Sequence, residues 1–194
     1  MAMKHIEHWI DGRVWAGRST RSGDVFDPAT GAATATVALA EPGDVDAAVA
    51  SARRGAADWG TSTLTRRMQV LFAFRELLSA NREELAAIIT AEHGKVLSDA
   101  LGEVTRGMEV VDFACGSAHL LKGSFSENVS GGVDVYSLRQ PLGVVGIISP
   151  FNFPAMVPMW FFPIAIAAGN AVVLKPSEKD PSAAMFMAEL WQRA

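Results

Sequence analysis

The chain has 194 residues, of which 49% are hydrophobic, and a formal net charge of −4 at pH 7. This length is enough for one domain with its own core, and the small negative charge excludes the basic surface that nucleic acids require. One cysteine excludes an internal disulfide, and with only four histidines we expect no metal site. The N-terminal residues MAMKHIEHWIDG contain no apolar segment typical of a secretory signal, so we expect a cytoplasmic protein.

The first forty residues contain two turn signals. Asp11-Gly12 lies between short apolar alternations and predicts a hairpin over residues 6–16. The sequence DPATG at 27–31 predicts a second turn, with strands at 25–26 and 35–39 on either side of it. We expect this small β-layer to be structural, and we assign no functional site to it.

Four helices are predicted between residues 44 and 120, each from apolar residues at helical spacing. Asp44 is the expected N-cap of the first helix. Asn81, with Glu84 three residues later, has the spacing of a capping box at the start of the third. The predicted ranges are 44–59, 65–79, 81–93 and 98–120. Packed on a sheet, these helices would form one layer of an α/β structure.

The only thiol of the chain lies on the fourth predicted helix. Cys115 continues an apolar stripe that includes Val104 and Val111, and the sequence places no cationic partner or helix N-terminus beside it. Reactive cysteines need such surroundings, because the thiolate is the nucleophile. We therefore expect a buried core thiol rather than a catalytic nucleophile.

Residues 124–140 form a separate unit in the pattern of the sequence. Side chains alternate with a period of two from Val133 to Arg139, and Gly131-Gly132 supplies a turn ahead of them. The segments 124–129 and 133–140 are therefore predicted to pair as an antiparallel hairpin.

The next segment, 141–174, contains no charged residue and no histidine. Two interpretations compete, a membrane span and a buried strand–helix–strand unit, and length alone favours the span. Four prolines interrupt the segment, and lipid tolerates little of the unpaired backbone that proline creates. We therefore favour the strand–helix–strand unit and expect no contact with a membrane.

That unit has clear boundaries in the sequence. Leu142–Ile148 is short and β-branched, as a strand buried on both faces should be, and Ala171–Leu174 is a second such strand. Ala155–Ala168 between them is the predicted helix, with Pro158 in its first turn and Gly169 after its end. Parallel strands place both following loops at one edge of the sheet, where open α/β sheets bind ligands. We interpret this edge as half of a nucleotide-type site.

The motifs PFNFPAMVPMW and AAGNAVVLKPSEK, in this order, resemble the aldehyde dehydrogenase superfamily. With GVDVYSLRQPLGVV just upstream, the resemblance is strongest to the CoA-acylating methylmalonate-semialdehyde dehydrogenase branch, and it covers essentially the whole chain from Phe26 onward. It implies an α/β fold with a partial Rossmann-type NAD-binding domain. Residues 1–123 and 141–194 would belong to that domain, and residues 124–140 would form a bridging or oligomerisation hairpin.

The resemblance also implies roles for individual residues around the predicted edge. Asn152 would stabilise the oxyanion that forms on the substrate, as a catalytic residue. The backbone of Ser149 and Phe151 would contact NAD, and Lys175 and Glu178 would bind the adenosine ribose. Without the resemblance, Asn152 could simply tie its loop, and KPSE could be a helix start.

Two further residues receive roles by resemblance. Lys179 would lie near the adenosine end of NAD. Arg106, in the pattern RGMEVV, would bind the carboxylate of the substrate, a task suited to a planar guanidinium. Taken alone, an arginine at that position of a helix is usually a solvated charge.

The implied activity is oxidation of a semialdehyde to an acyl-CoA, with NAD as cofactor, CoA as co-substrate and a homo-oligomer, dimer or tetramer, as the assembly. The nucleophilic cysteine and general-base glutamate of the family match nothing in these 194 residues, so we expect the chain alone to be inactive. The alternative is a non-catalytic module that binds nucleotide or assembles with intact subunits.

Overall fold

The computed structural model describes residues 3–194. In this part of the chain, nine strands, six α-helices and one 3-10 turn follow one another. The strands are β1 (Lys4–Ile6), β2 (His8–Ile10), β3 (Arg13–Trp15), β4 (Ser22–Phe26), β5 (Ala33–Ala38), β6 (Phe125–Ser130), β7 (Val133–Tyr136), β8 (Val144–Ile148) and β9 (Ala171–Lys175). The helices are α1 (Pro42–Trp59), α2 (Leu64–Ala80), α3 (Arg82–His93), α4 (Leu97–Cys115), α5 (Met156–Ala167) and α6 (Ser182–Arg193), and the 3-10 turn is Ser117–Leu121.

The N-terminal β-layer follows the two predicted turns. β2 and β3 are antiparallel across Asp11 and Gly12, which both have positive φ, 56° and 69°, as a two-residue hairpin turn requires. The predicted hairpin is thus confirmed, but Ile6 does not belong to it, because β1 pairs in parallel with β5. β4 and β5 are antiparallel around the second turn, as predicted.

One predicted helix start and one predicted capping box are wrong, although α3 does begin directly after Asn81. α1 begins two residues before Asp44, since Pro42 needs no donor partner at the first helical position. Asp44 instead accepts the backbone N–H groups of Glu41 and Arg18 from within the first turn. Asn81 donates its side-chain Nδ2 to the carbonyl of Leu77, so it caps the end of α2 and forms no capping box at the start of α3.

The main core lies between α2, α3, α4, α5 and α6. Phe74 at its centre is fully buried, stacks on Trp191 with ring centroids 4.0 Å apart and meets Phe162 edge-on at 5.9 Å. Cys115 lies in the same core and is buried. Desolvation raises the pKa of its thiol, which confirms the expected core thiol.

The strand–helix–strand unit is present as predicted. β8 and β9 are parallel, α5 connects them, and Gly169 follows α5 with a φ of +96°. The prediction that these strands are buried on both faces is wrong: Ile147 is buried, but Ile148 is 82% exposed. Among residues 3–194, each of the two strands pairs only with the other, so parts of both remain open.

The predicted hairpin at 124–140 is also present. β6 and β7 are antiparallel, and every residue of both strands is exposed. No helix within residues 3–194 is long and apolar enough to cross a membrane.

The crossing of α4 over α5 depends on Gly107. A Cβ atom added there would lie 2.9 Å from Sδ of Met159 and closer still to its Cε. We expect Gly107→Ala to lower the free energy of unfolding by about 1–3 kcal/mol, because the buried side chain of Met159, whose Cβ would also lie 3.2 Å away, must shift within the packed interface. Urea unfolding measures this change.

Gly102→Ala is the matched control on the same helix, since no atom lies within 4 Å of a Cβ added at that position. It should raise the free energy of unfolding by about 0.5–1 kcal/mol, as alanine favours a helix over glycine. Equal effects of the two substitutions would contradict the proposed close crossing.

Candidate functional site

The carboxyl ends of β8 and β9 meet at one edge of their sheet. The backbone N–H of Ser149, the first residue after β8, donates to the carbonyl of Lys175, the last residue of β9, at 3.1 Å. The loops 149–155 and 176–181 therefore leave the sheet side by side. This contact confirms that the two loops leave the same edge of the sheet, and the residues predicted for NAD and for the oxyanion lie on or next to these loops.

The ring of Phe151 forms part of the surface at this edge. It is half-exposed, it stacks on the ring of His93 with centroids 6.5 Å apart, and Nζ of Lys179 lies 4.4 Å from its centroid. Desolvation, reinforced by the charge of Lys95, lowers the pKa of His93. The stack therefore consists of a neutral imidazole, a phenyl ring and a cation. No role was predicted for His93, which ends α3 just before the αL residue Gly94.

A pair of opposite charges follows β9. Nζ of Lys175 lies 3.2 Å from Oε2 of Glu178, and both side chains are more than half exposed. A backbone N–H bond, together with Lys175, lowers the pKa of Glu178, so this carboxylate is ionised at neutral pH. The alternative that KPSE starts a helix is wrong, because α6 begins at Ser182. The hydroxyl of Ser177 instead accepts the N–H of Lys179 at 3.0 Å.

An apolar groove opens beside these charges. Its volume is about 770 Å³, and its wall includes Lys175 and Glu178. Side chains of β9, α1 and α6 continue the wall, among them Val45, Val172, Leu174 and Trp191. A groove with apolar walls and a few charges at its mouth suits an organic ligand with a polar end.

Asn152 lies in the loop after β8 and is exposed. Its backbone carbonyl accepts a hydrogen bond from Nζ of Lys95 at 2.9 Å. Among the described residues, no side-chain partner holds its carboxamide, so the loop is tied through the backbone of Asn152. The carboxamide donors remain free for a ligand.

Lys95 belongs to a buried ion pair that sequence reasoning missed. Its Nζ lies 2.6 Å from Oε2 of Glu103, and the two side chains are 10% and 0% exposed. The other oxygen of Glu103 accepts the N–H groups of Ala155 at 2.9 Å and Met156 at 3.1 Å. Glu103 thereby caps the N-terminus of α5 from a neighbouring helix. A signal for this role was available, since Glu103 directly precedes Val104 of the apolar stripe.

Arg106 follows Glu103 by three residues on α4 and is exposed. It forms no ion pair with any residue in the range 3–194. It directly precedes Gly107, where α4 crosses α5. No measured contact joins Arg106 to Asn152, but its guanidinium is available for an anionic ligand.

A second buried carboxyl, Asp180, was also missed. It is 2% exposed, and its Oδ1 has no hydrogen-bond partner among the described residues. Burial, together with the nearby charges of Glu92 and Glu103, raises its pKa to about 7, against the opposing effects of Ser177 and Lys95. Ser149 at the end of β8 also has a buried hydroxyl without a partner. No group of three or more His, Cys, Asp or Glu residues that could hold a metal ion occurs between residues 3 and 194.

Several known proteins are similar to this chain in sequence. The sequence model of the "Aldehyde dehydrogenase family" matches residues 15–194. The chain is 45% identical over 192 residues to a malonate-semialdehyde dehydrogenase of Pseudomonas aeruginosa, covering 99% of this chain and 38% of that protein. It is 44% identical over 189 residues to the acylating, mitochondrial methylmalonate-semialdehyde dehydrogenase of Arabidopsis thaliana, covering 97% and 31% of the two proteins.

Solved structures agree. A Sinorhizobium meliloti protein assigned as a methylmalonate-semialdehyde dehydrogenase, crystallised with NAD, matches with a TM-score of 0.97 and 47% identity, over 99% of this chain and 39% of that one. The methylmalonate-semialdehyde dehydrogenase of Oceanimonas doudoroffii matches with a TM-score of 0.95 and 46% identity, over 98% and 39%. The chain thus spans less than two fifths of the length of these proteins.

The carboxyl of Asp180 should make stability depend on pH. Its pKa in the folded chain, about 7, lies above the ordinary value of 3.8, so the folded state binds the proton more tightly. The associated stability is complete below about pH 4 and is lost as the pH rises through 7. Asp180→Asn, which is neutral at every pH, should therefore gain stability relative to the unmodified chain between pH 5 and pH 8. The gain should be on the order of 2–4 kcal/mol.

Urea unfolding at pH 5, 6.5 and 8 measures this difference. Asp46→Asn, at an exposed position of α1, is the control and should show no such trend. If the unmodified chain and Asp180→Asn keep a constant difference across the range, the carboxyl is not protonated in the folded state.

Proposed function

We propose that this chain, which belongs to the aldehyde dehydrogenase family, is the cofactor-binding part of an NAD-dependent malonate- or methylmalonate-semialdehyde dehydrogenase. The observation that carries this proposal is the edge where β8 and β9 end. There the exposed carboxylate of Glu178 lies on the wall of an apolar groove, and the loop that carries the free carboxamide of Asn152 leaves the sheet next to it. Two relatives that share 45% and 44% of the sequence act on these semialdehydes by name.

The cofactor would bind along this edge. Glu178, ionised and more than half exposed, can accept both hydroxyl groups of a ribose and would repel a 2′-phosphate, which favours NAD over NADP. Lys175 beside it can donate to the same ribose. The backbone of Ser149 and Phe151 lines the path toward Asn152, and Lys179 stands over the ring of Phe151. When bound, NAD would supply the acceptor for the hydride that leaves the former aldehyde carbon once a thiolate has added to it.

The contribution of this chain to the chemistry would be positioning and charge stabilisation. A thiolate that adds to the aldehyde carbon converts the carbonyl oxygen into an oxyanion, and the carboxamide N–H of Asn152 can donate to it. Cys115 cannot be that thiolate, because it is buried in the core and its pKa is raised. The nucleophile would therefore come from a part of the enzyme other than the described residues. CoA would then take up the acyl group.

The substrate would be recognised through its carboxylate. Arg106 is exposed and has no described ion-pair partner, and a guanidinium can bind a carboxylate with two parallel hydrogen bonds. A semialdehyde with a carboxylate at its far end supplies that group.

A second candidate function is a non-catalytic module that binds nucleotide or assembles with other subunits. Two observations favour it: the chain has no thiol placed for catalysis, and the β6–β7 hairpin exposes Phe125, Val135 and Tyr136. Such a surface fits a partner subunit, and in either function we propose that this hairpin joins copies of the protein in a homo-oligomer.

Intact mass combined with calorimetric titration of NAD separates the two functions. A mass of 194 residues with clear NAD binding means that the chain folds alone as a nucleotide module. The same mass without NAD binding means that the site is incomplete. A much larger mass means that these residues belong to an intact enzyme.

Glu178→Gln should weaken NAD binding about tenfold or more, because a hydrogen bond to a charged group is worth about 1.5–3 kcal/mol. NADP binding should weaken less, since the repulsion of its 2′-phosphate is relieved at the same time. Calorimetry with both nucleotides gives the ratio. Glu189→Gln, at an exposed position of α6, is the control. An unchanged ratio in Glu178→Gln would contradict the assignment of Glu178 to the ribose.

Arg106→Leu, in a catalytically complete form of the enzyme, should lower kcat/KM for malonate semialdehyde about 10- to 100-fold, through loss of a charge-assisted pair. It should hardly change kcat/KM for propanal, which has no carboxylate. Steady-state kinetics with both aldehydes measure the preference. If Arg106→Leu retains the preference for the carboxylated aldehyde, Arg106 does not bind the substrate.

A further inference from the structure

We propose that the buried ion pair of Lys95 and Glu103 is a clamp that positions the loop carrying Asn152. The clamp would fix the backbone of Asn152 on one side and the start of α5 on the other, and so set the direction in which the carboxamide points. This inference rests on the proposed function in one respect only, namely that the carboxamide of Asn152 donates to the oxyanion. The two residues would act through Asn152 and are positioning residues.

The contacts of the pair converge on the loop. Lys95 donates to Glu103 at 2.6 Å and to the carbonyl of Asn152 at 2.9 Å, and its Nζ lies 4.4 Å from the ring centroid of Phe153. Glu103 accepts from Lys95 and from the N–H groups of Ala155 and Met156. Every residue from 152 to 156 except Pro154 is thus held by one of the two side chains.

The charge of the pair explains why both members are needed. A buried carboxylate or ammonium without its partner is strongly unfavourable, whereas two apolar residues of similar size would often be as stable as the pair. The pair is therefore poorly explained as a device for stability alone. The pair instead fixes the path of the backbone, because each of its hydrogen bonds to loop 149–155 or to the start of α5 involves a backbone atom.

The rest of the loop transmits this constraint. Pro150 and Pro154 fix their own φ angles on either side of Asn152. With the carbonyl of Asn152 held by Lys95, little freedom remains in the backbone between the two prolines. The carboxamide, which has no described partner, then depends on this backbone for its placement.

The test is native-state hydrogen exchange of the 194-residue chain, measured by NMR at individual backbone amides. In Lys95→Met, the amides of Ala155 and Met156 should exchange about tenfold faster or more, while the core amide of Leu71 keeps its rate. Lys95→Arg, which can still reach both oxygen partners, should restore most of the protection. A residue that merely stabilises the fold would accelerate exchange at Leu71 as well.

Two further variants keep the test decisive. Glu103→Gln removes the charge and retains an oxygen acceptor, so Ala155 and Met156 should exchange faster than in the unmodified chain but keep part of their protection. This variant also serves if Lys95→Met fails to fold. Asp112→Asn on α4, the helix of Glu103, breaks the ion pair that Asp112 forms with Arg75 of α2; it is the control and should leave the loop unchanged.

The proposal is overturned if Lys95→Met and Glu103→Gln leave the loop amides at the rates of the unmodified chain. It is equally overturned if they accelerate loop and core amides by the same factor. NAD titration of the unmodified chain tests the proposed function separately, because the exchange rates do not depend on whether the nucleotide binds.

Discussion

A carboxylate buried among helices must find partners, and Glu103 finds them in three different segments. Its side chain is inaccessible to solvent, yet it neutralises Lys95 and caps α5 through two backbone N–H groups. Helix N-termini and ammonium groups both favour a negative charge, so this one residue satisfies two requirements at once. Because α4 carries Glu103 and α5 receives its hydrogen bonds, the two helices and the loop before α5 are fixed relative to one another. The position of Asn152 follows from that arrangement.

At the edge of the sheet, two carboxyl groups differ in protonation because one is exposed to solvent and the other is buried. Glu178 and Asp180 are two residues apart, but Glu178 is more than half exposed beside Lys175 and is ionised. Asp180 is buried near Glu92 and Glu103 and holds its proton up to about pH 7. The outer carboxyl is thus suited to bind a ligand through its charge, and the inner one packs as a neutral group. Opposite shifts at neighbouring carboxyls are typical of functional sites.

The parts of the fold that the sequence predicted are those with local causes. Glycine marks the turns of both hairpins, and proline and glycine mark the start and the end of α5. The uncharged segment between Arg139 and Lys175 indicated the strand–helix–strand unit. The wrong helix start at Asp44 and the missing capping box at Asn81 arose where a second local feature, Pro42 or the end of α2, determined the structure instead. The roles of Lys95 and Glu103 were not predicted because their partners in the loop lie far along the chain, 57 residues away for Asn152 and 52 for Ala155. Asp180 was not predicted because its burial results from tertiary packing. No periodicity reports such pairings.

The two-stranded sheet of β8 and β9 has a consequence for handling the protein. Within residues 3–194 neither strand has a neighbour on its outer side, so rows of backbone donors and acceptors face outward next to apolar side chains such as Leu142 and Ile148. Charged residues and prolines usually protect such edges, but neither β8 nor the first four residues of β9 contains one. Each open edge can thus pair through main-chain hydrogen bonds with a strand of another molecule, and such pairing becomes more frequent as the concentration rises.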